Sequence, residues 1–171
     1  APFDLRRALD EIDAESRGVL ERTAESIRAF AQAQKESLKD LDVAIDGGRA
    51  GHRVRPVRRA GCYAPGGRYP LPSSVLMTAV PARVAGVDEV WVASPRPGPV
   101  QLAAAAVAGV DHVLAVGGAQ AIAALAFGTE AVAACDVVVG PGNRWTTAAK
   151  QLVAGHVGID MLAGPSELLV V

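Results

Sequence analysis

The sequence predicts an α/β fold: a parallel sheet with helices on both faces, preceded by an N-terminal helical arm. Three observations carry this. Half of the residues are hydrophobic but only 4% are aromatic, so the core must be built from Ala, Val and Leu, the side chains that let helices pack closely on a sheet. From Arg59 onward, short Val-rich runs alternate with Ala-rich stretches of helix length, separated by Gly and Pro. Three strand-to-helix passages in so little chain call for parallel strands joined by right-handed crossovers.

In chain order, residues 1–45 are rich in charge, and Phe3, Leu9, Ile12, Leu20, Ile27, Phe30, Leu38 and Leu41 recur between the charges at roughly helical spacing. They predict a helical arm with one apolar stripe, broken near Gly18, that packs either on the rest of the chain or on a second subunit. Gly47, Gly48 and Gly51 end the arm in a turn ahead of the basic segment 52–59. Strands are expected at 89–93, 112–116 and 136–139, with weaker signals at 53–57 and 168–171. Helices are expected at 73–85, 99–108, 119–127 and 144–154. Pro81 falls inside the first of these, where it removes one backbone donor and predicts a kink. The reading is a Rossmann-like layer over 59–171, with residues 1–58 forming the arm and the start of another domain.

Seventeen basic against eighteen acidic residues leave a formal net charge of −1. No segment concentrates Lys and Arg enough for a nucleic-acid or polybasic membrane surface, so the expected ligand is a small molecule. No apolar run reaches the roughly 18 residues of a membrane span, and the start of the chain has neither the basic head nor the apolar stretch of a signal peptide. A soluble, cytoplasmic protein is expected. Cys62 and Cys135, far apart and in no metal-like spacing, suit a reduced compartment, with a single disulfide the lesser alternative.

In a doubly wound sheet the ligand lies beyond the carboxyl ends of the strands, on the loops that lead into helices. Five such loops follow in order: Ala64-Pro65-Gly66-Gly67, Ser94-Pro95-Arg96-Pro97-Gly98, Gly117-Gly118-Ala119-Gln120, Gly140-Pro141-Gly142-Asn143 and Ala163-Gly164-Pro165-Ser166-Glu167. Glycine lets backbone N–H groups approach a ligand, and a following helix N-terminus suits a phosphate. Each loop taken singly reads as a tight turn before it reads as a ligand site. Gln120 and Asn143 stand at helix starts, where a capping role and a ligand contact are equally open. No GxGxxG fingerprint with a downstream acidic residue is present. His52, His112 and His156 stand alone and read as surface or packing residues rather than zinc ligands. Ser166 lacks the GxSxG elbow of a nucleophile and reads better as a hydroxyl that orients a ligand, and Glu167 as a loop charge or helix cap. Trp91 and Trp145 read as core or helix-face residues, with Trp145 alternatively bordering a bound base.

Taken together and in order, the loops and their surroundings resemble histidinol dehydrogenase. The stretch runs nearly continuously from Pro56 to Val171. Its landmarks are Gly61-Cys62-Tyr63-Ala64-Pro65-Gly66-Gly67, Pro72-Ser73-Ser74-Val75-Leu76-Met77, Val116 to Thr129, Gly140-Pro141-Gly142-Asn143 and Ile159-Asp160-Met161-Leu162-Ala163-Gly164-Pro165-Ser166-Glu167. The arm before Pro56 fits in texture only.

The resemblance implies a cytoplasmic homodimer with two Rossmann-like domains. It implies oxidation of L-histidinol to L-histidine in two NAD-linked steps, the last reaction of histidine biosynthesis, with a zinc ion at the active site. Carried over residue by residue, it makes Tyr63, Gln120 and Asn143 NAD contacts and Ser166 a substrate contact. It also implies that the zinc ligands and the general base and acid follow the Gly-Pro-Ser-Glu loop. The chain is therefore expected to hold no catalytic residue and no metal ligand, to represent the parent enzyme incompletely, and to be inactive alone. Two alternatives stand beside this. The Gly67-Arg68-Tyr69-Pro70-Leu71 and Gly155-His156-Val157-Gly158 segments resemble paralogues that oxidise other small alcohols, such as sulfonated diols. The chain could also be a non-catalytic module that binds a nucleotide or a partner.

Overall fold

A computed structural model describes residues 3–66 and 69–162. The arm begins with a short helix α1 (Leu5–Asp10), capped by Asp4. The long helix α2 (Ala14–Ser37) follows, with the Asp13 carboxylate accepting the Ser16 N–H. The break in the arm thus lies at the second cap rather than at Gly18, which sits within α2. A Cβ at Gly18 would meet only the Arg22 side chain.

The arm is not helical to residue 45. Strands β1 (Leu41–Ile45) and β2 (Gly48–His52) form an antiparallel hairpin around Asp46-Gly47. Gly47 takes the left-handed φ of +78° that a two-residue hairpin loop requires. Every residue of the hairpin strands is exposed.

The main sheet has five parallel strands: β3 (Arg59–Tyr63), β4 (Glu89–Ala93), β5 (His112–Leu114), β6 (Val137–Val139) and β7 (Gly158–Ile159). Their spatial order is β5-β4-β3-β6-β7. The weak strand signal at 53–57 is not realised, and the chain enters the sheet later, at Arg59. The two-residue β7 is too short to leave a periodic signal in the sequence, and the signal at 168–171 lies outside the described residues.

Four helices connect these strands: α3 (Pro72–Ala85), α4 (Pro99–Ala108), α5 (Gly118–Phe127) and α6 (Arg144–Val153). Each is within about a residue of its expected range. Helix α3 carries Pro at its first position, where the missing N–H is not needed, and continues across Pro81.

The two faces of the sheet follow from strand alternation. Ala60, Cys62, Val90 and Val92 point to one side and pack with α3, α4 and the Leu20–Ala24 stripe of α2. Gly61, Tyr63, Trp91 and Val138 belong to the other face, where Ile122 and Leu125 of α5 and Val153 of α6 cover the sheet. The arm's partner is therefore at least in part the chain itself: α1 packs on α4, and α2 on α3 and α4. Beyond that contact the stripe has no cover among the described residues. Phe30 is 68% exposed and Leu38 61%.

Candidate functional site

The chain passes from β3 outward to β4 and β5 on one side, then returns across β3 to β6 on the other. Loops leaving β3 and β6 therefore diverge, and the crevice between them is where such sheets receive a ligand. Tyr63 ends β3 and Gly140 follows β6. The two meet so closely that a Cβ on Gly140 would stand 2.1 Å from the Tyr63 carbonyl oxygen, and Gly140 has a φ of +111°. Only glycine meets both conditions.

Two further loops mesh with the β3–α3 loop beside this crevice. A Cβ on Gly66 would lie 2.3 Å from the Pro95 carbonyl oxygen, and one on Gly117 would lie 2.7 Å from the Pro95 Cβ. Pro95 is thus held between the β3–α3 and β5–α5 loops. The buried Gln101 side chain adds a second tie. Its amide donates to the Pro65 carbonyl at 3.4 Å and to Ser94 Oγ at 3.3 Å, while its oxygen accepts the Gly98 N–H at 3.3 Å. Gly66, Tyr69, Pro70, Pro95, Arg96, Gly98 and Gln101 line a cleft of about 370 Å³ at this end of the sheet.

The residues singled out from the sequence occupy distinct positions. Tyr63 is buried, and its hydroxyl accepts the Gly118 N–H at 3.0 Å. Its side chain touches the start of α5 while its backbone touches the turn before α6, so Tyr63 links the loops that bear Gln120 and Asn143. Gln120 is exposed in the first turn of α5, with no hydrogen-bond partner for its amide among the described residues. Asn143 caps α6 through Oδ1, which accepts the N–H groups of Trp145 at 3.0 Å and Thr146 at 3.1 Å. Capping occupies only the oxygen. The Asn143 NH₂ has no partner among the described residues, and the residue is exposed, so the two readings of this residue are compatible. Ser166, Glu167, Gly67 and Arg68 lie outside the described residues.

The remaining candidates have protein neighbours of their own. Trp91 stacks on His112 with ring centroids 4.1 Å apart, and its Nε1 donates to Glu89. His156 lies against Phe127, and His52 bonds the Lys39 carbonyl. Trp145 is exposed at the start of α6 beneath the Arg144 guanidinium. Cys62 and Cys135 are unpaired and buried, and burial pushes each thiol up to about 12, so neither is a thiolate near neutral pH. Among the described residues no group of three His, Cys, Asp or Glu could hold a metal.

Two functional candidates had no signal of their own in the sequence. Lys150, on α6, is buried, and Asp160 follows β7. They form an ion pair, and both also bond Gly140. Burial alone would raise the Asp160 carboxyl, but hydrogen bonds from Lys150, the Gly140 N–H and the Met161 N–H outweigh it and hold the group below the usual carboxylate range.

Known proteins resemble this chain over nearly its whole length. The family model for histidinol dehydrogenase matches residues 2–171. A histidinol dehydrogenase of Natronomonas pharaonis is 56% identical over 171 residues, which is 98% of this chain and 40% of that one. One from Ralstonia nicotianae is 49% identical over all of this chain and 40% of its own. The crystal structure of histidinol dehydrogenase from Elizabethkingia anophelis superposes with a TM-score of 0.85 at 34% identity, covering 95% of this chain and 39% of that one. The chain thus spans about 40% of the length of these relatives.

Proposed function

The chain belongs to the histidinol dehydrogenase family, and from that premise we propose that its doubly wound layer is the NAD-binding part of an enzyme that oxidises L-histidinol to L-histidine. The observation that carries this is the pair of carboxamides, Gln120 and Asn143, exposed at the starts of two helices beside the crevice, with NH₂ groups that have no partner among the described residues. Amide donors and helix N-termini there suit the phosphates and ribose hydroxyls of a dinucleotide. Glycine at 66, 117 and 140 lets the loops around the crevice close against Pro95 and Tyr63, where a Cβ would clash.

In this reading the chemistry that NAD would supply when bound is a hydride acceptor for each of two successive oxidations. The chain's own groups bind and orient. Asn143 and Gln120 donate to the cofactor, and Tyr63 supports both loops from beneath. Ser166 orients the substrate. Zinc belongs to the family's chemistry as the resemblance gives it, but the described residues offer it no ligand set, so no step is routed through it. A cytoplasmic homodimer is part of the same proposal.

Calorimetric titration of NAD into the chain and two variants tests the reading. Asn143→Asp keeps the capping oxygen but replaces the donor with a charge that repels phosphate. It should leave stability within about 0.5 kcal/mol of the parent and weaken NAD binding about tenfold or more. Asn143→Ala should weaken binding similarly and also cost about 1 kcal/mol of stability through loss of the cap. No NAD binding by the parent chain, or unchanged affinity in Asn143→Asp, would count against the assignment.

A further inference from the structure

We propose that Lys150 and Asp160 are a positioning pair that holds the Gly140–Asn143 turn in its ligand-binding geometry; this rests on the cofactor reading above. Gly140 is fastened through both its polar atoms. Its carbonyl accepts from Lys150 Nζ at 3.1 Å, and its N–H donates to Asp160 Oδ2 at 2.8 Å. The two side chains also bond one another directly. A third restraint is steric, because the Tyr63 carbonyl blocks movement of Gly140 toward β3. With the peptide groups on both sides of Gly140 fixed, Pro141 and Gly142 have little freedom to move Asn143 relative to the crevice.

The pair also reaches past the end of β7. Asp160 Oδ1 accepts the Met161 N–H at 2.8 Å, so the carboxylate orients the chain as it leaves β7. One ion pair therefore ties together α6, the turn that carries Asn143 and the residues just after β7.

Stability alone is a poor explanation for this arrangement. A buried ion pair contributes little net stability compared with apolar side chains of similar size, because desolvation offsets most of the attraction. Lys150 has only 4% of its side chain exposed, so that cost is present here. What an apolar pair cannot do is bond the N–H and the C=O of the same glycine.

The experiment compares NAD affinity and thermal stability in the parent chain, Lys150→Met, the double variant Lys150→Met/Asp160→Leu, and Val80→Ala. Val80 is a buried α3 residue on the opposite face of the sheet. Lys150→Met should lose both stability and about tenfold or more in NAD affinity. The double variant, which leaves no unpaired carboxylate, should be at least as stable as Lys150→Met while its NAD affinity stays low, and Val80→Ala should lose stability yet bind NAD within about twofold of the parent. If the double variant recovers affinity along with stability, or if Lys150→Met binds NAD like the parent, the pair is merely structural and the proposal is wrong. Should Lys150→Met not fold, the double variant alone decides. A parent chain that does not bind NAD overturns the cofactor reading, and this inference with it, whereas parent binding with unaltered variants overturns this inference alone.

Discussion

At the scale of single residues, Gly140 is the most constrained position at the crevice. Its φ of +111°, and the Tyr63 carbonyl oxygen only 2.1 Å from where a Cβ would stand, leave no room for any side chain. Gly140→Ala should destabilise the chain by at least about 2 kcal/mol, read as a lower denaturant midpoint. Gly47→Ala is the informative contrast, since its φ is also positive but a Cβ would meet nothing within 4 Å. It should cost only about 1 kcal/mol. Sequence showed that glycine at 140 belonged to a loop before a helix. It could not show that Lys150 and Asp160 converge on it, because a lysine in the middle of an amphipathic helix carries the same local signal whether it faces solvent or a buried carboxylate.

Among the elements, the lower edge of the sheet is joined by charge. Arg59 on β3 donates to Glu89 on β4 at 2.7 Å, and Glu89 also accepts from Trp91 and lies 3.2 Å from His112 on β5. The hydrogen bond from Arg59, more than any other contact, holds the Glu89 carboxyl below the usual range. A carboxyl with a lowered folded pKa contributes stability that is present above its ordinary pKa and lost as pH falls through the folded value. The parent should therefore lose stability as pH falls from about 5 to about 3, and Glu89→Gln should lose less over that window, as measured by urea midpoints at each pH.

Elements also show where sequence reading succeeds. Strand β4 and helix α4 coincide with their expected ranges because a Val-rich run and an Ala-rich run are each bounded by Gly or Pro. Strand β3 has no such signal because Arg-Ala-Gly-Cys-Tyr lacks β-branched residues. Its small side chains answer to packing instead, since a Cβ on Gly61 would touch Leu125 of α5 at 3.0 Å. In the hairpin, Leu38 and Leu41 extend the helical spacing of α2, and that coincidence conceals the Asp46-Gly47 turn signal. At the candidate site, the loops and both amides were legible, whereas the division of Asn143 into a capping oxygen and an available NH₂ depends on three-dimensional contacts.

For the whole molecule, the exposed apolar surface is the dominant feature outside the crevice. Leu41, Val43 and Ile45 alternate along β1 and are 47%, 43% and 54% exposed, in a hairpin with no further strand beside it among the described residues. Phe30 and Met77 add apolar area between α2 and α3. Unpaired strand edges next to apolar side chains promote association. Light scattering should show an average mass that rises with concentration, and Val43→Lys/Ile45→Lys should shift the chain toward monomer. A concentration-independent monomer in the parent would contradict this.

The interleaving of Gly66, Pro95 and Gly117 bears on how the molecule would respond to a ligand. Three loops wedged together at Pro95, two of them also tied by Gln101, cannot reorder one at a time at that contact, so this part of the rim is a preformed mould. Binding to such a rim forfeits little conformational freedom, and contacts made there go into affinity rather than into ordering the protein.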